Sequence, residues 1–410
     1  MLSIEEASKL VEHHAAPLAP QRVALGDAAE LVLAEDVTSA VNSPPYDKAL
    51  MDGYAVVSSD RAEVRRVLEE VGAGSVPRRP VTPGTVTRLM TGAPLPEGAD
   101  AVIAFEQTEP IDDQTVRFLQ IAPVAGQHVL ALGAALRMGQ RVFGRGVTLR
   151  PVEIGILAEI GHAFVHVQPR PKVAVLPTGN ELVAANERPA AGQIRNSNGP
   201  MLAAAIARCG ATPIELPVAR DEPHELRRLI SAGLDADLLL LCGGVSAGKF
   251  DLVPAALADL GVEQVFHKIS LRPGKPLWFG VKKFGERSTL VFGLPGNPVS
   301  SLVCFELFAR PAIAALSGRG FATPAHITAI LSHDFKSKGG RASCLPAAIT
   351  PASLGERQIG EESGKRPEVE ILPWHGSADL VALARANGLV RLGTEPCDLR
   401  AGTNVSVLCL

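Results

Sequence analysis

The stretch Asp237-Leu-Leu-Leu-Leu-Cys-Gly-Gly-Val-Ser-Ala-Gly-Lys-Phe-Asp251 reads as a buried apolar strand that runs into a glycine-rich loop, with a helix expected over 252–260. In an open parallel sheet, ligands bind where strand carboxyl ends meet helix amino ends. Glycines there let backbone N–H groups approach a phosphate closely. The loop spells Gly243-x-x-x-x-Gly248-Lys249, a near miss to the P-loop. Phe250 stands where that motif needs a Ser or Thr hydroxyl for magnesium, and an acid, Asp251, follows. The loop therefore predicts an anion, and a metal held otherwise than in a P-loop.

Outward from this stretch the same rhythm repeats. A strand over 172–176 enters the loop Pro177-Thr-Gly-Asn-Glu181, and a helix over 200–209 stops at Gly210. Strand 212–218, helix 223–232 and strands near 264–269, 276–279 and 288–292 follow. The last enters Gly293-Leu-Pro-Gly-Asn-Pro298 and a helix over 299–315 that is apolar on most faces. Alternation of this kind predicts a three-layer α/β domain with a largely parallel sheet, here 169–318. Before it, Ser3 and Glu6 form a capping-box pattern for a helix over 4–13. Short β-like pieces over 21–25, 31–37, 55–57, 86–90 and 101–105 follow, the later ones between Pro/Gly turns up to residue 122. A helix over 152–160 is closed by Gly161. After it, short strands near 326–331, 342–349, 369–372, 389–392 and 405–410 predict a small β barrel or sandwich over 319–410.

At 410 residues the chain exceeds one ordinary core, so several domains are expected. A net charge of -3 gives no global basic field for nucleic acid or an anionic membrane, and 4% aromatics argue against a base-stacking platform. The six cysteines include no Cys-x-x-Cys pair, which disfavours a zinc ribbon and fits reduced thiols in a cytoplasm. The amino terminus carries early acids instead of an apolar signal region. No uncharged apolar run approaches the ~18–20 residues of a membrane helix. A cytoplasmic protein is expected.

Loops at the strand ends collect polar residues. Glu181, Asp221 and Asp251 lie on three of them, and together resemble a divalent-metal and phosphate site. Singly they have plain readings: Asp221 and Asp251 as helix N-caps, Glu181 as a solvated acid. Lys268, Arg272 and Lys275, the last two across a Pro-Gly turn, are suited to grip an oxyanion, although such runs are commonly exposed basic turns. Pro295-Gly296-Asn297-Pro298 is a stiffened turn before a helix, a natural anion cradle. In the β-rich region Asp52-Gly53 reads first as a hairpin turn, and Thr91 lies in a proline-stiffened loop. The histidines lack metal-ligand spacing.

These strings, taken in order, resemble the molybdopterin molybdenumtransferase family (MoeA and the gephyrin E domain) over essentially the whole chain. The match is carried by Met51-Asp-Gly-Tyr-Ala-Val56, Met90-Thr-Gly-Ala-Pro94, Pro96-Glu-Gly-Ala-Asp100, Thr178-Gly-Asn-Glu-Leu182 and Asn196-Ser-Asn. It continues through Gly243-Gly-Val-Ser246 with Asp251, Arg272-Pro-Gly-Lys-Pro276, Leu294-Pro-Gly-Asn-Pro-Val-Ser300, Gly376-Ser377 and Ala386-Asn387. The resemblance implies a homodimer of four-domain subunits: a split linker domain (1–38 and 136–168), a β-rich domain (39–135), the α/β domain and the C-terminal β barrel. It implies an active site shared between subunits, with Asp52 and Thr91 facing the crevice of the other copy. The implied reaction takes adenylylated molybdopterin and molybdate, requires magnesium, and yields molybdenum cofactor and AMP. Contact with the molybdopterin adenylyltransferase is expected; nucleic acid and membrane are not.

On this reading Glu181, Asp221 and Asp251 serve the metal and the attacking oxygen, with Asp52 and Thr91 as further catalytic residues. Gly243, Gly244, Ser246, Pro295, Gly296, Asn297 and Ser300 serve the phosphates. Lys268, Arg272, Lys275 and Ser246 suit molybdate, and the resemblance adds Arg341 and Ser377 from the C-terminal domain. The chain departs from the family pattern at Ala135, where an acid is usual, and at Arg272, where Lys is usual; Asn180 and Lys249 also stand where acids are frequent. Two alternatives have their own motives: adenylylation of molybdopterin by the related α/β fold, and a non-catalytic scaffold, suggested by Ala135.

Overall fold

The computed structural model describes residues 1–119, 123–244, 252–323, 325–350 and 366–410. The loop after Gly244 falls outside them, and with it Ser246, Lys249, Phe250 and Asp251. The chain forms two compact units, one of Met1–Gln21, Glu30–Ala34 and His166–Leu410, the other of Arg22–Ala29 and Glu35–Val165.

The first unit is built on a six-stranded sheet. Its order is Thr212–Glu215, Lys172–Pro177, Leu238–Cys242, Arg287–Leu294, Trp278–Phe284, Glu263–His267. The first four strands are parallel; Trp278–Phe284 is antiparallel to both its neighbours, so the edge strand Glu263–His267 again runs with the first four. Leu238–Cys242 is buried on both faces, as a central strand of a parallel sheet must be. One face packs against the helix Asn198–Arg208 and the long helical run from Pro298 to Leu316. The other packs against Pro223–Gly233 and Val253–Asp259. The helical run is long and apolar enough to cross a membrane by composition, yet it is mostly buried within the unit. It is also not uniform: a π-helical turn, Phe305–Ala309, joins the α segments Pro298–Cys304 and Arg310–Leu316.

The helix Ile4–His14 belongs to the same core through Ile4, Ala7 and Val11. Its capping box is formed, with Ser3 N–H donating to Glu6 Oε2 at 2.8 Å and Glu6 N–H to Ser3 Oγ at 3.1 Å. The C-terminal strands close on themselves. Ala342–Thr350 pairs with Glu368–Ile371, then His326–Leu331, Asn404–Cys409 and Gly388–Leu392, which returns to Ala342–Thr350. Closure removes the open edges of the sheet. One further strand, Leu271–Arg272, lies parallel to Ala342–Ser343 on this barrel. It ties the basic turn of the α/β domain to the barrel.

The second unit carries a six-stranded sheet ordered Ala101–Ala104, Gly53–Val56, Thr85–Leu89, Val64–Val71, Thr115–Phe118, Thr108–Asp112. Asp52-Gly53 is not a hairpin turn here. The preceding strand, Lys48–Ala49, pairs with Val129–Leu130, while Gly53–Val56 lies between Thr85–Leu89 and Ala101–Ala104. Gly53 is needed for closeness: a Cβ would stand 2.1 Å from the Ile103 carbonyl oxygen. The helix Pro151–Glu159 ends as expected, with Gly161 at φ +88.

Candidate active site

At the carboxyl ends of the parallel strands, the first unit opens a pocket of about 920 Å³. Three adjacent strands end in the loops that form its floor. Thr178 N–H donates to the Cys242 carbonyl at 3.0 Å, and Gly243 N–H to the Leu294 carbonyl at 3.1 Å, so the three loops are stitched together. Gly243 turns at φ +101, and a Cβ there would lie 2.8 Å from the Thr178 carbonyl oxygen. Both facts demand glycine. Gly243→Ala is expected to lower stability by about 1–3 kcal/mol from backbone strain alone, with the clash added. Urea unfolding followed by tryptophan fluorescence would read this, and an unchanged midpoint would remove the geometric reason for glycine.

The Pro295–Pro298 turn forms one wall. Asn297 is the N-cap residue of Pro298–Cys304, and its Nδ2 donates to Ser377 Oγ at 2.7 Å. Val299 N–H donates to the Ser377 carbonyl at 3.0 Å, so the barrel side of the pocket is fastened to this turn. Asn198, nine-tenths buried, donates from Nδ2 to the Gly296 carbonyl at 2.7 Å. Basic side chains line the pocket as well. Arg272, Lys275 and Arg341 all line the pocket, and Arg341 is steadied by donating to the Leu271 carbonyl at 3.3 Å. Among the described residues, no acid forms an ion pair with Arg272 or Lys275. Their charge is therefore free to meet an anion.

Of the residues expected from sequence, Glu181, Gly243, Arg272, Lys275, Pro295, Gly296, Asn297, Ser300, Arg341 and Ser377 line this pocket together. Gly244 adjoins it at φ +65. Lys268 and Asp221 are not in its lining. Lys268 is held at φ +70 with its N–H on the Leu277 carbonyl. Asp221 sits on the next loop, where its N–H donates to Asn180 Oδ1 at 3.1 Å. Asn180 thus has a structural task of its own, holding the Asp221 loop. Ser246 and Asp251 lie outside the described residues. Sequence reasoning left Arg195 and Trp374 out of the site, although both line it. Trp374 had one signal, being one of only two tryptophans in the chain.

Asp52 and Thr91, in the second unit, meet directly. Asp52 Oδ1 accepts from Thr91 N–H at 2.6 Å and from Thr91 Oγ1 at 2.8 Å. These two donors, the backbone one foremost, hold the Asp52 carboxyl below its usual range. It is a carboxylate throughout the neutral range, an acceptor and not an acid.

Three family models cover the chain in turn. Residues 2–161 match the MoeA N-terminal region (domain I and II), 174–315 the probable molybdopterin binding domain, and 328–410 the MoeA C-terminal region (domain IV). A molybdopterin molybdenumtransferase of Staphylococcus aureus is 32% identical over 420 residues, covering 99% of this chain and 95% of its own. One from Staphylococcus epidermidis is 30% identical over 416 residues, with the same coverage of 99% and 95%. The crystal structure of a molybdopterin biosynthesis MoeA protein from Pyrococcus horikoshii superposes with a TM-score of 0.82 at 29% identity, covering 100% of this chain and 99% of that one. A whole-chain match of this kind, on a chain whose pocket gathers the family's own motifs, leaves one assignment: the chain belongs to the molybdopterin molybdenumtransferase family and is an enzyme of that class.

Proposed function

We propose that the pocket takes adenylylated molybdopterin and molybdate, and that the reaction yields molybdenum cofactor and AMP. The observation that carries this reading is the gathering of two anion-binding features in the lining of one cavity. Arg272, Lys275 and Arg341 line it together with the Pro295–Pro298 turn that opens the following helix. Molybdate is a tetrahedral dianion that suits the basic wall, where an arginine fork and an ammonium point charge combine. The phosphates suit the glycine-floored end, where Gly243 and Gly296 keep side chains out of the way.

Carboxylate oxygens suit magnesium. Glu181 lines the pocket, and Asp221 stands on the adjoining loop through Asn180. With Asp251 these residues would hold the ion. When bound, it neutralises charge developing on the phosphoanhydride. Among the described residues no three His, Cys, Asp or Glu side chains cluster. The protein's own contributions are to hold both anions near each other and to keep an acceptor in place for the attacking oxygen. We further place Asp52 and Thr91 of a second copy at this pocket, making the working form a cytoplasmic homodimer that receives its substrate from the molybdopterin adenylyltransferase.

The test is direct. Purified protein supplied with adenylylated molybdopterin, molybdate and magnesium is expected to release AMP and to yield cofactor that activates an apo-molybdoenzyme. Absence of molybdate-dependent AMP release sinks the reading. Asp251→Asn is expected to abolish turnover with folding and dimerisation intact; a fully active variant would remove the assignment of the acids.

A further inference from the structure

Elsewhere in the first unit, a second cavity of about 500 Å³ opens between the end of the helix Asn198–Arg208, the helix Arg310–Leu316 and the segment after it. Three guanidinium groups line it, those of Arg208, Arg310 and Arg319. The transferase chemistry uses none of them.

Two are organised by one buried acid. Glu306 is 0% exposed; its Oε1 accepts from Arg208 Nη2 at 2.7 Å and its Oε2 from Arg310 Nη1 at 2.6 Å. Glu306 lies in the π-helical turn Phe305–Ala309. Turns of this kind are rare and recur at functional sites. An Arg–Glu–Arg set around a buried carboxylate is also a poor source of stability, since apolar side chains of similar volume often serve as well or better. What it provides is orientation. Each arginine gives Glu306 one of its five donors, and the two side chains remain 55% and 38% exposed at the cavity. Arg319 is anchored separately, donating to the Glu30 carbonyl at 2.8 Å and the Cys209 carbonyl at 3.3 Å. Among the described residues no acid other than Glu306 pairs with any of the three. Three guanidinium groups line the cavity against one paired acidic side chain, and Leu410, the last residue of the sequence, lines it as well.

We propose that this cavity is a second anion site, distinct from the transferase pocket, that binds the phosphate group of a small phosphomonoester. Phosphate offers three strong acceptor oxygens and close to two negative charges at neutral pH, the complement of forked guanidinium donors. A volume of about 500 Å³ lies within the range of small-molecule sites and leaves room for the esterified carbon skeleton. Cys209 and Ala314 supply less polar wall beside the arginines. Burial, and then Glu306, push the Cys209 thiol up, so it enters as a neutral surface and not as a nucleophile.

The test is equilibrium dialysis with radiolabelled glycerol 3-phosphate, and with orthophosphate in a separate arm. It uses the full chain, as wild type and as the Arg272→Ala/Lys275→Ala variant, whose transferase pocket has lost two of its basic side chains. Glycerol 3-phosphate is expected to bind one site per chain in that variant. Arg319→Ala, an exposed position, is expected to weaken that binding at least tenfold. The joint replacement Arg208→Met, Glu306→Leu and Arg310→Met, which strands no buried charge, is expected to abolish it. Absence of a stoichiometric site, or a site indifferent to both sets of changes, overturns the proposal. Orthophosphate binding as tightly as the ester overturns the phosphomonoester part. The outcome is independent of the transferase assay, because the readout is occupancy and not turnover.

Discussion

Replacing Arg272 and Lys275 together by alanine is expected to lower kcat/KM for molybdate by about 10²–10⁴-fold. Each hydrogen bond from a charged group is worth about 1.5–3 kcal/mol, and each ~1.4 kcal/mol is a factor of ten. Both side chains line the pocket, and neither is paired with an acid among the described residues. Their removal therefore strands no buried partner, and the loss falls on the ligand. The backbone of the strand Leu271–Arg272 keeps its place on the barrel through its pairing with Ala342 and Ser343, which does not depend on the side chain. Rates of AMP release measured against molybdate concentration check this. A rise confined to KM says that the pair holds molybdate equally in ground and transition states; a matched fall in kcat says that it acts on the transition state. Rates like those of the wild type would remove the basic wall from the site.

The α/β core was legible because its strands are apolar runs and its turns carry glycine and proline at strand ends. Leu238–Cys242 announces itself in this way. The reversed direction of Trp278–Phe284 was not legible, since direction leaves no mark on a short apolar segment. Val64–Val71 was missed altogether. Its sequence, Val-Arg-Arg-Val-Leu-Glu-Glu-Val, is charged at half its positions, and only Arg65 and Val71 are buried. No alternation of apolar and polar residues could show it. The site was legible wherever a backbone turn makes it, as at Gly243 and at Pro295–Pro298. It was not legible where distant segments bring in side chains. Arg195, at the end of the short strand Ile194–Arg195, and Trp374, in a loop, reach the pocket from positions 179 residues apart in sequence. Lys268 sits three residues before Leu271 in a basic run, yet it is not in the lining, and no sequence signal separates it from Arg272 and Lys275.

The largest stability loss is expected in the second unit, from Asp60→Ala. Arg65 has no exposed side-chain surface, and its Nε lies 3.1 Å from Asp60 Oδ2. Its guanidinium also donates to the Asp60 carbonyl at 2.8 Å and to the Ala62 carbonyl at 3.1 Å, and its Cζ stacks 4.5 Å from the Phe118 ring centroid. Asp60 does more than pair with it. Its Oδ1 accepts from Ala62 N–H at 2.9 Å and its Oδ2 from Gly84 N–H at 2.8 Å, tying two turns to the sheet. Removing the carboxylate leaves a buried guanidinium without a counter-charge, which typically costs about 3–5 kcal/mol, and frees two backbone donors besides. Arg65→Met is expected to be milder than Asp60→Ala, because a neutral side chain fills the space and Asp60 keeps its backbone donors. The same pair sets a pH dependence. Burial works to raise the Asp60 carboxyl, but the Gly84 and Ala62 donors and the Arg65 charge outweigh it, so the net shift is downward. A depressed carboxylate contributes stability that is complete above its unfolded value near ~3.9 and is lost as pH falls through the folded value below it. Urea unfolding at pH 7 and at pH 3 is therefore expected to show a large difference between wild type and Asp60→Ala at neutral pH and a smaller one in acid. A difference that stays constant with pH would mean that the carboxylate charge is not what holds Arg65 in place.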